Sequence, residues 1–141
     1  MAVFHYAHRV VYSDCTVGDH IYYARYLDIL EAARGEFFRH LGVGLREWQA
    51  RDTIFPVVEC HLRYKTPARY DDTLLIEIRA PLAAGVRLNL DCRVVNQAGG
   101  LVLEAETFHA CTNVSGKPKR LPEPLRVALQ PYLNRRDRES P

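Results

Sequence analysis

Two carboxylates and a hydroxyl lie within six residues of one another, just ahead of a long helical pattern. They belong to Asp14, Thr16 and Asp19, with Gly18 among them. The first N–H groups of a helix have no partner inside it, and the helix dipole adds partial positive charge there. Such a terminus binds an anion, or a carbonyl oxygen that is becoming one. Acidic and hydroxyl side chains beside it make acyl transfer a chemistry that this segment permits.

The composition narrows the classes of protein to consider. The chain has 141 residues, of which 48% are hydrophobic, and we expect a single domain over 1–141. A net charge of +2, without any run of five Lys or Arg residues, argues against a nucleic-acid partner. No apolar stretch approaches the length of a membrane span, and the N-terminus does not resemble a secretory signal. We therefore expect a cytoplasmic protein with no membrane partner.

The cysteines do not form a metal-binding pattern. Among the four there is no Cys-x-x-Cys pair, and no histidines are clustered beside them. We therefore expect no metal site, and we interpret the cysteines as buried, reduced thiols. They are Cys15, Cys60, Cys92 and Cys111.

Hydrophobic periodicity indicates which helices and strands position the segment that contains Asp14, Thr16 and Asp19. Spacings of three and four predict a helix over residues 21–41, about 30 Å long at 1.5 Å per residue. Gly42 and Gly44 end this helix, and a short helix over 45–51 follows. The period then changes to two, which predicts strands. Together with a first strand over 4–12, the predicted strands cover 58–64, 74–79, 86–94 and 101–112.

These elements predict the fold class. Short turns separate the later strands, which must run antiparallel because parallel neighbours need a long crossover. The result is an α+β domain, a curved antiparallel sheet of about five strands wrapped around one long central helix. From about residue 122 we expect a tail with a short helix near 125–133 and a frayed, charged end.

Three stretches of the chain carry motifs that occur together in one family. The first runs from 12 to 36 and includes the pattern Leu-x-x-x-Glu-x-Ala-Arg-x-Glu, the second is the turn over 64–72, and the third comprises His109 and 117–122. Together they resemble the 4-hydroxybenzoyl-CoA thioesterase-like family of acyl-CoA thioesterases, which implies a hot-dog fold. The matching residues of the first stretch are Tyr12, Asp14, Cys15, Tyr22, Tyr26, Leu27, Glu31, Ala33, Arg34 and Glu36.

The chain also departs from the family pattern. Thr16 stands where the family has its usual catalytic Asp, and Asp19 stands where a glycine is usual. Enediyne-type members carry an amide side chain at the first of these positions, so the change does not exclude hydrolysis. It leaves open which residue is the base.

Each candidate catalytic residue has two interpretations. Asp19 caps the long helix, or it orients and deprotonates a water molecule. Asp14 holds the loop together or supplies the base, and Thr16 closes a local turn or positions water. Tyr23 packs in the core or an interface, or it contacts the acyl group. His20 is a surface or helix-start residue or a base, and the resemblance gives the second role no support.

The resemblance implies an acyl-CoA thioesterase that needs no cofactor. The thioester carbonyl is expected to face the N–H groups of Ile21, Tyr22 and Tyr23, while water attacks. A non-hydrolytic acyl-thioester-binding protein is the main alternative, and a hot-dog dehydratase is another.

The resemblance also implies partners. Lys65, Arg69 and Arg87 are candidates for binding the phosphates of coenzyme A, because Lys and Arg form charge-assisted bonds to phosphate. The substrate is acyl-CoA or an acyl carrier protein thioester. A second protomer is expected to close the acyl pocket, which makes the protein a homodimer or homotetramer.

Overall fold

The computed structural model describes residues 1–133, so the predicted frayed end lies outside the described residues. The chain starts with a strand, a small hairpin and a long helix, and continues with four strands and a short helix. The strands are β1 (Phe4–Arg9), β2 (Cys15–Thr16), β3 (His20–Ile21), β4 (Val57–Tyr64), β5 (Thr73–Ala84), β6 (Arg87–Val95) and β7 (Leu101–Ala110). The helices are α1 (Arg25–His40), α2 (Leu45–Ala50) and α3 (Glu123–Leu129), with short 3₁₀ turns at Tyr12–Asp14 and Gln130–Tyr132.

The main sheet has five strands in the order β1-β5-β6-β7-β4, and every neighbouring pair is antiparallel. β4 and β1 are therefore the edge strands. β5 runs to Ala84, beyond the predicted strand over 74–79, because its pairing with β6 continues through a register shift between Arg79 and Leu82. The small ribbon of β2 and β3 lies outside this sheet.

One face of the sheet packs against α1 and supplies most of the core. The alternation predicted for the strands is visible in β5 and β6, where every second side chain is buried. On α1 the buried side chains recur at spacings of three and four, as predicted. They are Tyr26, Ile29, Leu30, Ala33, Phe37 and Phe38.

The central helix is shorter than predicted. It has 16 residues, about 24 Å at 1.5 Å per residue, and it begins at Arg25 rather than near 21. The backbone of His20 and Ile21 pairs with β2 instead of entering the helix. At its other end the helix stops at His40, and Gly42 follows with φ +112°.

Candidate active site

A cavity of about 340 Å³ lies beside the start of α1. Its walls come from the β2–β3 ribbon, from the segment that leads into α1, and from the end of β4 with the residues after it. Four tyrosines and a histidine make up half of the lining, and no Asp or Glu among residues 1–133 belongs to it. The lining residues are Thr16, His20, Ile21, Tyr22, Tyr23, Tyr26, Tyr64, Lys65, Thr66 and Pro67.

The ribbon places Thr16 directly opposite His20 across its two strands. Gly18 and Asp19 form the turn between them with φ angles of +90° and +58°. Arg69 holds this turn from outside, because its guanidinium donates to the Gly18 carbonyl at 3.0 Å and its backbone bridges to His20. The turn is thus fixed to the segment that follows β4.

Asp19 lies at the exposed tip of this turn, outside the set of cavity-lining residues. The interpretation of Asp19 as the cap of the long helix is wrong, since Ala24 occupies the N-cap position of α1. The backbone of Asp19 instead closes the turn by donating to the Thr16 carbonyl at 3.2 Å.

Of the three N–H groups expected to face a thioester carbonyl, two are already bonded. The N–H of Ile21 donates to the Ala68 carbonyl at 2.9 Å, and that of Tyr22 donates to the Asp14 carbonyl at 3.1 Å. The N–H groups of Tyr23 and Ala24 have no acceptor within residues 1–133. The donor available at the cavity is therefore Tyr23, which lines it.

Asp14 is buried, with 2% of its surface exposed, and it does not line the cavity. Its carboxylate contacts His8 Nε2 at 2.8 Å and accepts hydrogen bonds from Arg25 Nε at 2.9 Å and the Val11 N–H at 3.0 Å. Burial alone would raise the pKa of Asp14, but these three partners outweigh it and lower the pKa. Both oxygens are thus occupied in holding the loop to β1 and α1.

Two tyrosines that the sequence analysis did not assign to a site complete the cavity. The hydroxyl of Tyr64 donates to the carbonyl of Tyr23 at 2.9 Å, which fixes the peptide beside the free N–H. The rings of Tyr26 and Tyr64 meet edge to face with centroids 5.7 Å apart. The apolar periodicity of the helix and of the strand includes both residues, but it does not show that they meet at one cavity.

The three expected phosphate-binding cations do not cluster within one protomer. Lys65 lines the cavity, and Arg69 lies beside it at the ribbon. Arg87 pairs with Ala110 on β7, whereas Tyr64 pairs with Leu103. Seven residues of strand separate these positions, about 23 Å at 3.3 Å per residue, so Arg87 lies at the opposite end of the sheet.

All four cysteines are free, but only Cys92 and Cys111 are buried as expected, because Cys60 is exposed on β4 and Cys15 is half-buried. Within the ribbon, burial and the nearby carboxylates of Asp19 and Asp14 raise the pKa of Cys15, which disfavours its thiolate. No group of three or more His, Cys, Asp or Glu side chains in residues 1–133 is placed to hold a metal ion. In the same part of the chain, no helix is long and apolar enough to cross a membrane.

Comparison with known proteins shows which family this chain resembles. The family model described as the thioesterase-like superfamily matches residues 10–129. An acyl-CoA thioester hydrolase, YbgC from Escherichia coli O6:H1, is 32% identical over 124 residues, covering 87% of this chain and 92% of the relative.

Solved structures agree with this match. A probable thioesterase from Bartonella henselae is 28% identical with a TM-score of 0.80, covering 86% of this chain and 100% of the other. A 1,4-dihydroxy-2-naphthoyl-CoA thioesterase from Synechocystis, 22% identical, has the same fold with a TM-score of 0.84 over 91% and 96% of the two chains. The predicted resemblance and the predicted α+β hot-dog fold are both confirmed.

Proposed function

The chain belongs to the thioesterase-like superfamily, and we propose that it hydrolyses acyl-CoA thioesters in the tyrosine-lined cavity beside α1. The observation that carries this proposal is that Tyr23, whose N–H has no acceptor within residues 1–133, lines the cavity beside the start of the helix. The relative from Escherichia coli supports the same chemistry, since it covers most of the chain and is an acyl-CoA thioester hydrolase.

During the reaction, negative charge develops on the thioester carbonyl oxygen, which this N–H can stabilise. The thioester carbonyl oxygen points toward the N–H of Tyr23, and attack of water on the carbonyl carbon makes that oxygen negative. A preorganised donor of this kind contributes about 3–4 kcal/mol to transition-state stabilisation. The C–S bond then breaks, which releases the acid and the CoA thiol. Tyr64 supports this step by donating to the Tyr23 carbonyl, which fixes the peptide group that follows the one carrying the Tyr23 N–H.

Aromatic walls suit the acyl group of the substrate. Tyr22, Tyr23, Tyr26 and Tyr64 surround the cavity with apolar ring surface. Burial also raises the pKa of Tyr26, so its hydroxyl stays neutral across the physiological range. We assign this wall to the acyl chain adjoining the thioester and place the nucleotide outside it.

Lys65 and Arg69 are the cations we propose for the phosphates of coenzyme A. Lys65 lines the cavity, and Arg69 retains free guanidinium donors after its bond to Gly18, because a guanidinium has five N–H groups. Arg87 is too distant within one protomer and joins them only if a partner subunit brings it near.

We propose that two copies of the chain associate through β4. This edge strand exposes apolar side chains on both faces, with Val57 45% and Val58 65% exposed and Cys60 also at the surface. Its outer backbone N–H and C=O groups need a partner, and a second β4 supplies them. The assembly is a homodimer or a pair of such dimers. The four free thiols suit a reducing compartment, and we place the activity in the cytoplasm.

Release of free thiol from a panel of short, long and aromatic acyl-CoAs tests the proposed function. Turnover of at least one member, saturable in substrate, is the expected result. A parallel binding measurement on the same panel distinguishes the main alternative, since binding without any thiol release would make the chain a non-hydrolytic acyl-thioester-binding protein. Acyl carrier protein thioesters as a second panel identify the carrier.

A further inference from the structure

A histidine and a threonine that both line the cavity lie opposite each other on the β2–β3 ribbon. Thr16 and His20 are direct partners across the β2–β3 ribbon, so their Cβ atoms lie about 5 Å apart on one face of it. Both residues line the cavity, as does Tyr23 with its free N–H. The ribbon thus brings a hydroxyl and an imidazole to the side of the oxyanion donor.

His20 and Thr16 each have a polar atom that is free to bind water. His20 Nδ1 lies 3.3 Å from the carbonyl oxygen of Ile21. A carbonyl only accepts, so Nδ1 carries the proton and the neutral ring has its lone pair on Nε2. Within residues 1–133, neither Nε2 of His20 nor the hydroxyl of Thr16 has a protein hydrogen-bond partner. The two groups are free to share one water molecule between them.

Among the residues that the structure describes, no carboxylate lines the cavity beside His20. Asp14 is buried behind the ribbon with both oxygens bonded to His8, Arg25 and Val11. Asp19 lies at the exposed tip of the turn, and it does not line the cavity. His20 and Lys65 are the two basic side chains among the lining residues, and because Lys65 is assigned to the phosphates, the imidazole of His20 is the candidate base.

On the basis of the proposed thioesterase function, we propose that His20 is the general base of the hydrolysis and that Thr16 holds the attacking water. Nε2 of His20 takes a proton from water as the water oxygen bonds to the carbonyl carbon, and the carbonyl electron pair moves to the oxygen facing the Tyr23 N–H. Collapse of this intermediate breaks the C–S bond, and the imidazolium returns the proton to the leaving thiolate. The products are the acid and the thiol.

Several charged or titratable groups surround His20. Asp19 precedes it on the ribbon, Arg69 bridges to its backbone, and Lys65 lines the same cavity. Cys15 on the facing strand and the tyrosine hydroxyls of the cavity wall are further titratable neighbours. A pH profile therefore has to be compared between variants that differ only at one of these groups.

The test uses the full chain with the acyl-CoA that it turns over best. His20→Asn should lower kcat for thiol release ~10²–10⁴-fold with little change in KM, the range for loss of a general base. Added imidazole should restore part of the rate in this variant, because it fills the space of the missing ring. The fall of kcat toward acidic pH should also disappear in this variant. The ordinary pKa of an imidazole is about two units above that of a carboxyl group, so the pH at which the wild-type rate falls distinguishes a histidine base from an Asp or Glu base.

Matched variants separate this role from a structural one. Asp19→Asn should keep both the rate and the acidic limb, and His5→Asn, an exposed histidine on β1, should behave as wild type. If His20→Asn fails to fold, His20→Gln repeats the comparison. Wild-type turnover that survives in His20→Asn, or that is lost in Asp19→Asn alone, overturns the role of His20 while leaving the thioesterase function intact. Absence of turnover in the wild type overturns both.

Discussion

At the scale of single residues, Asp14 holds the loop that carries the site, although it does not line the cavity itself. Its carboxylate joins His8 of β1 to Arg25 of α1, and its backbone carbonyl accepts from Tyr22, next to the free N–H of Tyr23. The sequence is compatible with this loop-holding role, as one of two interpretations of Asp14. It could not name the partners, since they lie six and eleven residues away and only the folded loop brings them together.

Asp14→Asn should destabilise the protein in a pH-dependent way. An amide offers one accepting oxygen, so its NH₂ group would meet the donors of Arg25 or of His8 and Val11. We expect the free energy of unfolding at neutral pH to fall by about 1–3 kcal/mol, the range for unmade bonds to a buried group.

The sign of the pH dependence follows from the lowered pKa of Asp14 in the folded state. Its stabilising contribution is fully present above the pKa of the unfolded chain and is lost as the pH falls through the folded value. The difference between wild type and Asp14→Asn should therefore shrink toward acidic pH. Denaturant unfolding of both proteins in a series of buffers measures it, and a pH-independent difference would contradict the assignment.

At the scale of elements, the ribbon explains why the predicted helix was too long. Tyr22 is in phase with the apolar stripe of α1, so periodicity alone extended the helix to about residue 21. In the structure the N–H groups of Ile21 and Tyr22 bond to Ala68 and Asp14, and helix geometry begins only at Arg25. Long-range backbone bonds thus override the local pattern. The same bonds leave Tyr23 as the available donor, which periodicity could not reveal.

Gly18→Ala should damage activity more than stability. Gly18 has φ +90°, which costs a residue with a Cβ about 1–2 kcal/mol, and its added methyl would lie 3.2 Å from Cδ2 of His20. We expect a modest fall in thermal stability and a larger fall in kcat, because the imidazole must shift.

Gly99→Ala is the matched control for this variant. Gly99 has φ +80° in the turn between β6 and β7, and an added methyl there meets nothing within 4 Å. It should lose similar stability and keep its turnover. Equal kcat values for the two variants would show that the position of His20 does not limit the reaction.

At the scale of the whole molecule, the antiparallel sheet and its central helix followed from the sequence, while the strand order did not. Alternation identifies the strands, and short turns join the paired strands β5, β6 and β7. No local pattern shows that β4 pairs with β7 rather than with β5, the next strand in the chain, or that β1 pairs with β5. Their placement makes β4 an edge strand with exposed Val57 and Val58. The cavity residue Tyr64 ends this same strand. Strand β4 therefore supplies both the exposed sheet edge and one wall of the cavity.

Val58→Lys should dissociate the proposed dimer and reduce turnover together. Val58 is 65% exposed on β4, and a lysine there places an unpaired charge on the edge that a second copy must cover. Sedimentation at micromolar protein should show a dimer or tetramer for wild type and a smaller species for the variant. If a partner subunit closes the cavity, kcat/KM of the Val58→Lys variant should fall together with its sedimentation mass.

Val127→Lys provides the control for this last comparison. Val127 is 54% exposed on α3, a helix that contacts β5 rather than the β4 edge, so a lysine there changes the net charge equally without touching the proposed interface. It should keep the wild-type mass and activity. A monomeric wild type would exclude association through β4. An unchanged assembly in Val58→Lys would move the interface to another face, whereas a monomeric variant with full activity would show that one protomer forms a complete site.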